Sequence, residues 1–302
     1  MKIAIAGGTG FIGQKLTNHL ISVGHSIYIL TRDASNKPAK PNVTYIEWLT
    51  DGTEPAKSLG QVDAIVNLAG ESIGASRWTS ERKDQILQSR IQSTQSMVRL
   101  IEDLPIKPRV LVNASAIGYY GHSLTHTFTE ESKPVEENFL SQVVQRWEQE
   151  AEAASVYGVR VTYCRLGVVL DSAEGALTRM LLPFRFFAGG PLGSGEQWLS
   201  WIHIDDVVKM FTFAIEHSEI KGPFNLTAPV PLKMNDFGKI VAHVLSRPYW
   251  LPAPSFALKL LLGEMSTLVL DGQKVLPHKA ETAGYTFLHP SLEPALSNLL
   301  NS

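Results

Sequence analysis

The chain has 302 residues, 44% hydrophobic and 19% charged, enough to bury a large core in one α/β domain or two domains. A formal charge of -2 and the absence of any Lys/Arg run argue against a nucleic-acid binder or a protein steered to an anionic membrane surface. One cysteine, Cys164, excludes an intramolecular disulfide and sits in an apolar β-like run as a buried thiol, and no apolar run approaches the roughly 20 residues of a spanning helix, so a cytoplasmic protein is expected.

In chain order, residues 2–6 read as a short buried strand, with no charged and apolar leader ahead of them. Residues 11–24 read as an amphipathic helix ending at Gly24, and 26–31 as a second strand, which together make a βαβ unit. Apolar runs at 43–48, 64–68, 110–113 and 159–166 follow, separated by helix-like stretches at 81–103 and 138–157. The strand runs are continuously apolar instead of alternating, the pattern of strands covered by helices on both faces, so the expected fold class is α/β with a doubly wound parallel sheet. Beyond about Leu170 the pattern loosens, because Pro183, Gly189, Gly190, Pro191, Gly193 and Gly195 interrupt any long element. Helix-like stretches recur at 205–217, 234–245 and 255–270. The expected division is a main sheet domain, 1–170, and a smaller, mostly helical C-terminal region, 171–302, that returns in part to the main domain.

The strongest motif is Gly7-Gly8-Thr9-Gly10-Phe11-Ile12-Gly13, which begins as the first strand ends and runs into the first helix. Gly7 permits the tight turn, Gly10 lets backbone approach a pyrophosphate, and Gly13 allows close packing of helix on strand. The helix start then offers free amides and a positive dipole end to phosphates. This is a Rossmann-type nicotinamide dinucleotide site. At the end of the second strand stand Thr31, Arg32 and Asp33. If that strand ends at Leu30, Arg32 meets a 2′-phosphate and Thr31 adds a hydroxyl, which selects NADP; a shift of one residue would place Asp33 there and select NAD.

The glycine turn, Asn67-Leu68-Ala69-Gly70 after the fourth strand, and Trp201-Ile202-His203-Ile204-Asp205-Asp206-Val207 together resemble the extended short-chain dehydrogenase/reductases, the branch that includes the nucleoside-diphosphate-sugar epimerases and dehydratases. With Glu71-Ser72-Ile73, Arg77-Trp78-Thr79, Ser89-Arg90-Ile91, Leu182-Pro183-Phe184-Arg185, Arg247-Pro248 and Gly263-Glu264, the likeness narrows to the epimerase-like subgroup with no assigned substrate, over nearly the whole chain. The resemblance implies that Leu68, Ala69, Gly70 and Glu71 line the cofactor cleft, that Arg90 reaches the cofactor from the long helix, and that Arg185 and Trp198 contact substrate in the Gly-rich segment 183–201, with Glu71 also on the substrate side. A helix-face arginine such as Arg90, taken alone, reads as solvated.

In that superfamily a Tyr and a Lys four residues on exchange a proton with substrate while a Ser or Thr holds its oxygen. Here Ser115 fits the hydroxyl role on the run 114–121, but no Tyr-x-x-x-Lys occurs; anchoring on Glu148 puts Leu140 and Val144 at those positions. Two readings stand. In one, Tyr119 or Tyr120, beside Ser115, or Glu71 donates the proton of an NADP-dependent oxidoreductase or epimerase-like enzyme acting on a small polar carbonyl, hydroxyl or sugar-nucleotide substrate. In the other, the chain is a non-catalytic NADP(H) sensor. His203 with Asp205 and Asp206 reads as a helix start with Asp205 as N-cap, not as a metal site. A homodimer is left open.

Overall fold

Seven parallel strands form one sheet in a computed structural model that describes residues 1–300. From one edge to the other they are Gly222–Leu226, Arg160–Leu166, β5 (Val110–Ala116), β4 (Ala64–Asn67), β1 (Lys2–Ala6), β2 (Ser26–Thr31) and β3 (Val43–Glu47). All six pairings are parallel. The chain winds outward from β1 to β3, then restarts on the other side of β1 with β4, which leaves a topological switch point between β1 and β4. The doubly wound sheet expected from the apolar runs is the one that forms.

The runs lack in-out alternation because both faces are covered. Ile3 and Ile5 of β1 join one core, with Leu16 and Leu20, while Ala4 and Ala6 join the other, with Met97 and Leu100. Helix α1 (Phe11–Ser22) buries Gly13, Leu16, Thr17 and Leu20, one stripe at helical spacing. A single short turn, α2 (Pro55–Leu59), leads back to β4. The long helix α3 (Ser80–Asp103) starts on Thr79, whose side chain accepts from the Arg82 amide. Helix α4 (Phe139–Glu152) starts on a reciprocal cap between Asn138 and Ser141. It ends sooner than its periodicity predicts, and 153–157 tightens into a 3-10 turn.

The C-terminal region departs more from expectation. Helix α5 (Ala176–Arg185) forms despite Pro183, because the proline falls in the last turn while Leu177, Leu181 and Phe184 bury one face. Helices α6 (Ile204–Glu216) and α7 (Met234–Leu245) follow, with the strand Gly222–Leu226 between them returning to the edge of the main sheet. The predicted helix 255–270 is broken: α8 (Ser255–Leu262) stops at Gly263, whose φ of +61° a helix cannot continue. The terminal helix Leu292–Leu300, absent from the sequence reading, buries Leu292, Ala295, Leu296 and Leu299. Cys164 is wholly buried and burial pushes its thiol up, so it is inert packing. No helix among the described residues is long and apolar enough to cross a membrane.

Candidate functional site

The turn from β1 into α1 opens at the switch point, at the carboxyl ends of the strands. Gly7 has φ +76°, and a Cβ on it would lie 2.8 Å from the Leu68 carbonyl oxygen, so backbone of the β4 loop packs directly on it. A Cβ on Gly13 would lie 2.1 Å from the Gly7 oxygen, which closes the helix onto the turn. Gly10, by contrast, is exposed, and a Cβ there would meet only the Gly7 oxygen at 3.3 Å. It is the N-cap of α1, extended and with no side-chain acceptor, so the first amides of the helix face outward uncapped. Thr9 is exposed beside it, its carbonyl accepting from the Gln14 side chain, while half-buried Phe11 lies under Gly175 and half-buried Ile12 packs on the core.

Strand β2 runs to Thr31, one residue past the end that would favour Arg32 by position, so the choice between Arg32 and Asp33 falls to which side chain is left free. Asp33 accepts from the Ser35 amide, the Ser35 hydroxyl and the Asn36 side chain, and these bonds hold its carboxyl below the usual range. The Thr31 hydroxyl is turned to Asp33 backbone. Arg32 is exposed, and its guanidinium makes no ion pair or hydrogen bond among the described residues.

On the other side of the switch point, the loop after β4 is held from below. Buried Asn67 donates to Asn113 (2.7 Å) and Thr94 (3.1 Å) and accepts from the Ala69 amide. Trp147 donates to the same threonine. Neither Asn113 nor Thr94 stood out in the sequence; a polar residue inside each of two adjacent apolar strands was the available signal. Arg90, which reads on its own as solvated, lies under Gly70. Its guanidinium donates to the carbonyls of Glu71 (3.0 Å) and Ile86 (2.9 Å), sits 5.0 Å over the Trp147 ring, and is pulled by desolvation down to about 10. It supports the wall Leu68–Ala69–Gly70 from behind. The Glu71 carboxylate is tied to Arg82 at 3.3 Å.

The end of β5 places the three hydroxyl candidates in different surroundings. Ser115 is buried, and its hydroxyl donates to Glu148 at 2.5 Å. Glu148 in turn takes two bonds from the buried Arg165 guanidinium, 2.8 and 2.7 Å, a fork-on-fork pair. Arg165 also donates to the Tyr120 hydroxyl (3.0 Å), which donates to Asn225 (2.7 Å). Burial pushes the Tyr120 phenol up to about 12. Both hydroxyls are engaged inside the protein, with Ser115 2% exposed and Tyr120 wholly buried. Tyr119 is only half-buried, with the Arg165 carbon 3.4 Å from its ring centre. Burial alone would lower the Arg165 guanidinium, but Glu148 more than offsets that and holds it high. An arginine within an apolar strand is the signal for this network that the sequence carries. Leu140 and Val144 lie against Gly118, and Leu140 continues into an apolar cluster with Ile73, Trp78, Met265 and Leu268.

Comparison with known proteins now decides the family. Residues 3–227 match the profile described as the NAD dependent epimerase/dehydratase family. The chain belongs to that family. Residues 253–299 match a second profile, described as a domain of unknown function. The chain is 48% identical over 300 residues to epimerase family protein YfhF of Bacillus subtilis, covering 99% of this chain and 98% of that protein. It superposes with TM-score 0.87 and 33% identity on the human epimerase family protein SDR39U1, solved with NADPH, covering 100% of this chain and 99% of that one. A UDP-glucuronic acid 4-epimerase from Bacillus cereus, solved with NAD, shares the fold at TM-score 0.78 and 16% identity, covering 100% and 96%.

The C-terminal part of this epimerase-family chain separates the remaining candidates. Arg185 ends α5, exposed, and makes no hydrogen bond or ion pair among the described residues. Trp198 lies half-buried, its indole N–H donating to the Leu124 carbonyl and its ring facing Lys233 at 4.3 Å and Lys274 at 5.1 Å. No contact joins it to Arg185 or Glu71. The N-cap of α6 is His203, not Asp205: its Nδ1 accepts from the Asp205 amide at 3.1 Å. Folding also brings up a second histidine, His289, whose ring stacks on His203 at 3.7 Å, with Asp205 near both. Burial holds His203 below the usual histidine range. Asp206, fully buried, accepts from Tyr285 and from the amides of Leu288 and His289, and so pins the penultimate loop.

Proposed function

We propose that this protein is an NADP(H)-dependent oxidoreductase or epimerase-like enzyme that acts on a small polar carbonyl or hydroxyl substrate without a tyrosine–lysine relay. The observation carrying this reading is the glycine cradle at the switch point with Arg32 beside it: uncapped amides suited to a diphosphate and an unpaired guanidinium suited to a 2′-phosphate. Asp33, the residue that would favour NAD, is turned into its own loop. The NADPH of the human relative supports the same choice.

When bound, the dinucleotide supplies the hydride. In this reading the amides at the start of α1 grip the diphosphate, and Leu68, Ala69 and Gly70 wall the cleft with Arg90 bracing them. Region 171–302 closes the substrate side. Tyr119 is the proton donor, being the one of the three hydroxyl candidates not consumed by the Glu148–Arg165 network.

Two expected results test this. Arg32→Ala lowers NADP affinity by about 1.5–3 kcal/mol, the worth of a hydrogen bond to a charged group, and leaves NAD affinity unchanged. Titration calorimetry with both dinucleotides reads it, and equal losses for the two would remove Arg32 from the assignment. In a screen of simple carbonyls and sugar nucleotides followed by cofactor absorbance, Tyr119→Phe lowers kcat about 10²–10⁴-fold on any active substrate with little change in KM.

One observation favours a second reading. The positions of the relay are filled by Leu140 and Val144, and Leu140 belongs to a packed apolar cluster. A non-catalytic NADP(H) sensor would need nothing there. Silence on every substrate, together with cofactor binding and a difference between NADPH and NADP in partner association, selects the sensor.

A further inference from the structure

Six large apolar side chains stand out from one part of the C-terminal region: Phe186, Phe187, Trp250, Phe256, Leu260 and Leu261. Phe256 is 75% exposed and Leu260 80%, and α8 buries none of its residues. Isolated exposed leucines need no explanation, but a cluster of this size does.

The cluster is built, not frayed. The Trp250 indole donates to the Phe187 carbonyl at 2.9 Å, and the amides of Trp250 and Leu251 both donate to Gly189. Backbone bonds from Gly193 to Ala253 and from Ala253 to Pro191 continue the pairing to the start of α8. The two sequence-distant segments are thereby locked side by side. Helix α8 is anchored at its other end, where Arg77 donates to the Leu260 carbonyl and Lys83 pairs with Glu264.

Charge decides what covers it. The segments 179–193 and 246–262 carry Arg179, Arg185, Arg247 and Lys259 and no Asp or Glu at all, in a chain whose net charge is negative. Arg247 lies 4.4 Å over the Phe187 ring, and Lys259 is exposed one turn on from Phe256 in α8. Glu264 is already paired with Lys83 and Asp271 acts on Lys259, which leaves Arg185 and Arg247 without an ion-pair partner among the described residues and free to meet an anionic surface.

We infer that this face docks peripherally on an anionic phospholipid bilayer, with Trp250, Phe186, Phe187 and the outer face of α8 in the headgroup–acyl boundary and Arg185, Arg247 and Lys259 against lipid phosphates. These cations form no run along the chain, and the two segments that carry them are paired only in the fold. The inference does not rest on the functional reading above.

Co-sedimentation of the full chain with vesicles tests it. The protein pellets with vesicles of mixed phosphatidylcholine and phosphatidylglycerol, less with phosphatidylcholine alone, and less again as salt is raised. The double variant Phe256→Ser/Leu260→Ser, with both sites solvent-exposed, keeps the wild-type melting temperature and partitions at least about tenfold more weakly. The variant Arg185→Glu/Lys259→Glu loses the preference for the anionic vesicles. Trp250 is the one exposed tryptophan of six, so emission shifts to the blue on vesicle addition and the shift is absent in Trp250→Phe. Absence of pelleting with any vesicle overturns the inference, as does undiminished pelleting of the double serine variant. Light scattering that shows a wild-type dimer, made monomeric by those serines and indifferent to lipid, overturns it in favour of a second copy.

Discussion

Glu148→Ala lowers the free energy of unfolding by roughly 3–5 kcal/mol, the range for removing one partner of a buried ion pair. Arg165 and Glu148 are 2% and 9% exposed, and the substitution strands a guanidinium with no other carboxylate on it. The same change strips Ser115 of its acceptor at 2.5 Å and loosens the Tyr120–Asn225 bond downstream. Urea unfolding of the wild type and variant reads the loss as a shift of midpoint at constant slope. The double variant Glu148→Leu/Arg165→Met recovers most of it, because no buried charge is left unpaired. A loss under about 1 kcal/mol for the single change would mean that water reaches this network, and that Ser115 and Tyr120 are accessible after all.

Gly13→Ala abolishes cofactor binding. The new Cβ falls 2.1 Å from the Gly7 oxygen and 2.7 Å from the Gly8 Cα, both backbone, so turn and helix must separate and the uncapped amides lose their common aim. At a ligand concentration a hundred times Kd, the wild type gains about 2.7 kcal/mol from NADPH and the variant gains nothing. Gly24→Ala is the control. Gly24 has φ +89° with nothing within 4 Å of the added methyl, so the substitution costs about 1–2 kcal/mol of backbone strain and leaves NADPH stabilisation intact. Thermal scans with and without NADPH separate the two variants. Normal cofactor stabilisation of Gly13→Ala would show that the dinucleotide does not use this turn.

Much of the fold was legible because it is locally encoded. The βαβ unit, the glycine turn and α7 at 234–245 follow from periodicity and turn chemistry over short spans. The errors have physical causes as well. Pro183 was weighed as a breaker, yet a proline near a helix end loses little against three buried apolar side chains at helical spacing. The stretch 255–270 keeps one apolar pattern through Gly263, but left-handed backbone there ends the helix whatever the pattern says.

The site divides along the same line. By itself the sequence determined the parallel sheet, the glycine turn between β1 and α1, and the absence of a Tyr-x-x-x-Lys pair, since each is a matter of neighbours within a few turns of chain. Only the tertiary structure decided which hydroxyls are free: Ser115 meets its acceptor 33 residues away and Tyr120 meets Asn225 at a separation of 105. The pairing of His203 with His289, and the placing of Arg247 over the Phe187 ring, arose in the same way. A side chain's proton, charge or apolar surface is available only if folding leaves it unspent, and the partners that spend it come from segments no local pattern connects.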